Sequence, residues 1–95
     1  MTESIVFDNR CAGWTNKADL NEMFLTLQEE YIKSMLKHNG FRYLNQIYEV
    51  YGIPWNPRIR ENTCYLEEDG ELIFHYDLFP SGIVVITIRQ EKEGI

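Results

Sequence analysis

Cys11, Cys64, His38 and His75 are the side chains of this 95-residue chain best suited to hold a metal or drive a reaction. Zinc sites draw their ligands in close pairs such as C-x-x-C or H-x-x-x-H. Neither spacing occurs here, so no metal and no cofactor is expected. His75 and Asp77 stand two apart in a strand-like run and therefore share a face, the arrangement of a general base held by a carboxylate. Cys64 would meet His75 across a hairpin as a thiolate–imidazole dyad. Yet nothing marks a nucleophile beside His75, Ser81 falls in a turn, and there is no glycine-rich phosphate loop. The expectation is no catalytic residue and no enzyme, with a small Cys64–His75 enzyme as the least favoured alternative.

Charge points to a different kind of work. Residues 62–88 contain no Lys or Arg, while Glu67, Glu68, Asp69 and Glu71 flank a single turn. Such charges ordinarily solvate a hairpin tip and block edge-to-edge strand pairing. They also suit a surface that steers towards a basic groove on another protein. A second candidate contact is the run GIPWNPRIREN at 52–62. Pro54 and Pro57 stiffen it, so that little entropy is lost on binding. Trp55, Arg58 and Arg60 are of the types enriched at binding hot spots. The competing reading folds Trp55 back as a lid on the core and leaves Arg58 and Arg60 in solvent.

The elements that position these residues follow from periodicity. Leu20, Met23, Phe24, Leu27, Tyr31 and Met35 recur at spacings of three and four, which predicts a helix over 19–38 with that set on its core face. Asp19 with Glu22 reads as a capping box, and Asn39-Gly40 as a left-handed stop. Leu44, Ile47, Tyr48 and Tyr51 predict a second helix over 42–51, ended by Gly52 and Pro54. Short connections make consecutive helices antiparallel neighbours. Thr63–Glu67, Leu72–Leu78 and Ile83–Arg89 then read as strands, with Asp69-Gly70 as a two-residue hairpin turn and Pro80-Ser81-Gly82 as a second turn. The expected fold is α+β: one domain over residues 1–95, with two antiparallel helices on a three-stranded antiparallel sheet in the order α-α-β-β-β. A short strand over 4–7 would make the sheet four-stranded. Ile83–Arg89, apolar on both faces, reads as the best-covered strand.

Composition bounds the function. At 44% apolar and 14% aromatic residues a core can form without metal or disulfide. A net charge of −6 is wrong for direct nucleic-acid binding and for docking on anionic lipid. No stretch approaches the roughly 18–20 apolar residues of a membrane span, and the first residues lack a signal-peptide pattern. A cytoplasmic location with reduced cysteines is expected.

The run FRYLNQIYEVYGIPWNP, with YLNQIYEVYGIP at its centre, resembles a segment of short uncharacterised proteins from phages and other mobile elements of Gram-positive bacteria. In those, L-N-[DQ]-[IV]-Y leads through a glycine to a loop and a small sheet. The resemblance covers about residues 41–88. It implies a bacterial mobile-element setting and carries over no catalytic residue. The resulting expectation is a non-enzymatic acidic interaction module with a protein partner, of the kind that inhibits a host defence or nucleic-acid-handling protein. The alternative is a phage assembly or homo-oligomerising domain, a homodimer hiding Val84, Ile86 and Ile88 in its interface.

Overall fold

The computed structural model of the chain describes residues 2–53 and 63–92. The order is β1 (Thr2–Phe7), α1 (Ala18–Asn39), β2 (Phe41–Tyr43), α2 (Leu44–Val50), β3 (Cys64–Leu66), a 3-10 turn (Glu67–Asp69), β4 (Glu71–Leu78) and β5 (Val84–Glu91). The class is α+β, with two helices and an antiparallel sheet. The expected order α-α-β-β-β is corrected at its start and in its middle, because the chain opens on a strand and β2 separates the helices.

The three-stranded sheet runs β1-β5-β4, all antiparallel. Its centre is β5, whose sequence VVITIRQE is β-branched at its first five positions and packs well on a pleated surface. Ile86 is flanked by Ile5 on one side and Tyr76 on the other, and Val84 by Phe7 and Leu78. These residues share one face by the two-residue period of strands. Val84, Ile86 and Ile88 are buried within the chain, so they offer no interface to a second subunit. The homodimer surface expected from the sequence is thereby excluded.

The meander expected over 63–89 does not form as a unit. β3 pairs with β2, Cys64 opposite Tyr43 and Leu66 opposite Phe41, in a separate two-stranded ribbon. Asp69-Gly70 accordingly joins two sheets instead of two adjacent strands. Gly70 is required there for another reason: its φ is +111°, and a Cβ would overlap the Glu91 carbonyl oxygen.

α1 spans one residue more at each end than its periodicity suggested. Gly40 ends it in the left-handed conformation, φ 81°, with its N–H donating to the Leu36 carbonyl at 2.8 Å. Its start differs from expectation. Lys17 is the N-cap, without a side-chain bond, and Asp19 lies inside the first turn. Asn21 secures the preceding loop instead: its Oδ1 accepts from the Thr15 N–H at 2.8 Å and its Nδ2 donates to the Thr15 carbonyl at 2.9 Å.

The core face of α1 is also corrected. Asn21, Leu25, Ile32 and Leu36 are the buried positions, with Phe24 packed beside them. Leu20, Met23, Leu27 and Tyr31 face solvent. α2 behaves as its pattern suggested, burying Leu44 and Ile47, with Tyr51 buried just beyond its end.

Candidate functional site

The sulfur and imidazole groups do not converge. Cys11 is buried, its Sγ 3.8 Å from the Val6 carbonyl oxygen, and burial raises its thiol pKa. A thiol in that state is a poor nucleophile. Cys64 sits in β3, with its Sγ 3.7 Å from the Tyr65 carbonyl oxygen. Because β3 pairs with β2 and His75 lies opposite Thr87 on β5, the hairpin that would join Cys64 to His75 is missing. The His75–Asp77 pair is real: Nε2 lies 3.2 Å from Oδ1. Both side chains are more than half exposed on the outer face of the sheet, where water screens the pair. No group of three or more His, Cys, Asp or Glu is arranged to hold a metal among the described residues.

The acidic turn is built firmly. Glu67, Glu68, Asp69 and Glu71 are all exposed. The Glu67 N–H donates to the Gly40 carbonyl at 2.9 Å, and Gln90 Nε2 donates to both the Leu66 and Gly70 carbonyls. The turn is not an isolated negative tip, however. Glu67, Glu68 and Glu71 line a cleft of about 530 Å³ together with Lys33, Lys37 and Lys92, with Leu36 and Leu72 at its base. Three lysines around the same cleft offset part of the negative field that sequence alone suggested. Of the other expected contact residues, Trp55, Arg58 and Arg60 lie outside the described residues.

The feature that sequence reasoning missed is on α1. Leu20, Met23, Leu27 and Tyr31 are 43, 61, 59 and 46% exposed. At about 100° per residue they fall on one helical face, beside the buried one. Scattered exposed apolar residues need no explanation, but a file of four large ones along a helix does. Asp19, Thr26, Glu30 and Lys37 line the solvent side of this file and are themselves exposed. Towards its C-terminal end the Arg42 guanidinium lies 5.6 Å from the Tyr31 ring, close enough for a cation–π contact. Arg42 is itself buried, and its Nε has no hydrogen-bond partner among the described residues.

A second, smaller cleft of about 360 Å³ lies between the loop around Trp14, the first turns of α1 and the β4–β5 turn. Its inner wall is core packing, with Trp14 at 5.5 Å from Phe7 between ring centroids. The comparisons with known proteins return nothing to set beside this geometry: no protein-family model, no curated protein and no solved structure matches the chain.

Proposed function

We propose that the chain is a non-enzymatic protein-interaction module, working through surface contact. The observation that carries this reading is the solvent-facing file Leu20, Met23, Leu27 and Tyr31. Fully burying a side chain of this kind stabilises by about 1.5–3 kcal/mol relative to exposure. Four of them left roughly half exposed are a contact surface waiting for cover. The placing of Cys64 and His75 in different sheets supports the same reading against a Cys–His enzyme. In its finer form the module is an inhibitor, with Glu67, Glu68, Asp69 and Glu71 seated in the basic groove of a host protein and steering its approach.

Affinity capture with three baits tests both forms: the natural chain, Leu27→Glu, and a variant with those four acids changed to Lys. Far-UV circular dichroism should be little changed by Leu27→Glu, while proteins captured by the natural chain are lost. Unfolding by Leu27→Glu would place the file in the chain's own core, and undiminished capture would remove it as the contact face. Retention of every partner by the four-lysine variant would discard the inhibitor form alone.

A further inference from the structure

We infer that the cover on α1 is a second copy of this chain, its α1 running antiparallel to the first across a two-fold axis at Leu27. This rests on the reading of the exposed file as a contact surface and names its occupant.

The argument is one of self-complementarity. An isologous interface requires a surface to match itself after a two-fold rotation. About Leu27 the file does so. Met23 and Tyr31 stand four residues to either side, so Met23 meets the partner's Tyr31, a thioether against an aromatic ring. Leu20 and Ser34, seven residues to either side, meet as large against small, and Leu27 meets its own copy on the axis.

The charges fit the same operation. On the solvent side of the file the order is Asp19, Thr26, Glu30, Lys37, all exposed. Antiparallel pairing sets Asp19 beside the partner's Lys37 and Glu30 beside the partner's Thr26. Each pair is offset by two residues, about 3 Å along the axis, within the reach of a lysine or glutamate side chain. Neither Asp19 nor Lys37 makes an ion pair within the chain among the described residues. Parallel pairing would instead bring this flank against the opposite flank of the partner's helix, where Phe24, Gln28 and Met35 carry no charge to meet it. A second copy supplies the Asp19–Lys37 match twice, once at each end of the paired helices. At 22 residues α1 is about 33 Å long, enough for the whole file to engage.

The test is sedimentation velocity on the full chain, with two sets of variants. The natural chain should sediment as a dimer at micromolar concentration, and Leu27→Glu as a monomer with unchanged circular dichroism. Asp19→Lys should weaken the dimer several-fold, and adding Lys37→Asp should restore it. Under mild oxidation Leu27→Cys should cross-link to itself and Leu20→Cys should not. A natural chain that stays monomeric at about 100 μM overturns the inference. If Leu27→Glu still abolishes capture of other proteins in that case, the contact face survives and only its occupant was wrong. A dimer indifferent to Leu27→Glu, or cross-linking by Leu20→Cys as readily as by Leu27→Cys, overturns the antiparallel geometry.

Discussion

Glu29 shows how much of this interior depends on single polar atoms. It accepts from the Tyr76 hydroxyl at 2.6 Å and from Lys33 Nζ at 3.0 Å, and Lys33 in turn lies 5.7 Å from the Phe74 ring centroid. Burial is the leading cause that raises the pKa of Tyr76, Tyr51 and Tyr65, the last to about 12. The sign of the linkage follows. Above the ordinary tyrosine pKa of 10.0 an unfolded chain releases these protons and the folded one keeps them, so stability falls as pH rises from about 10. A spectrophotometric titration should leave these three of the six tyrosines unionised at about pH 11 while the fold persists. A single ionisation wave for all six with unchanged circular dichroism would contradict it. Glycine chemistry was legible residue by residue, though not always for the reason given. Gly40 stops α1 as its position announced. Gly70 was recognised as a turn residue, but its φ of +111° serves a crossing between sheets against the Glu91 backbone. Gly70→Ala should cost about 1–3 kcal/mol or more in urea unfolding, because both φ and space forbid a side chain there.

At the scale of elements, α1 separates what a sequence declares from what it withholds. Its length and its stop were legible because apolar period and helix-ending glycine are local. Its inward face was not. Counting Leu20 through Leu36, apolar residues cover more than half of the helix circumference at about 100° per residue. A helix can bury only the arc its neighbours touch, and the sheet touches Leu25, Ile32 and Leu36. Substitution distinguishes the two arcs. Measured on dissociated chains, below the concentration at which two copies pair, Leu25→Ala should cost about 2–5 kcal/mol, as for a buried leucine, and Leu27→Ala within about 0.5 kcal/mol, as for a surface site. Equal costs in urea unfolding would show that both arcs are core in solution. The strand at 41–43 was missed for a related reason. Phe-Arg-Tyr is too short to carry a period, and its partner Cys64–Leu66 lies more than twenty residues away. The Asp-Gly hairpin signal then assigned β3 to the wrong neighbour, since local turn chemistry says nothing about which sheet a strand joins. Of the candidate site, the acidic turn was legible from charge alone. The lysines around its cleft were not, because only the tertiary fold brings α1 beside residues 67–71.

For the whole molecule, the strand order matters more than the strand count. A central strand rich in Val and Ile was foreseeable from apolar residues on both of its faces. Its pairing with β4 across the Pro80-Ser81-Gly82 turn was legible too; that its other neighbour would be β1, almost eighty residues away, was not, since pairing at long sequence separation leaves no local trace. This order has a consequence during translation. β1, with Ile5 and Phe7 along it, emerges well before Val84–Glu91, its one partner in the sheet among the described residues. Until that stretch has left the ribosome, β1 lacks the strand that pairs with it. The three-stranded sheet therefore cannot close until Val84–Glu91 has been made, and a nascent chain arrested before Val84 leaves β1 without the strand that covers its edge.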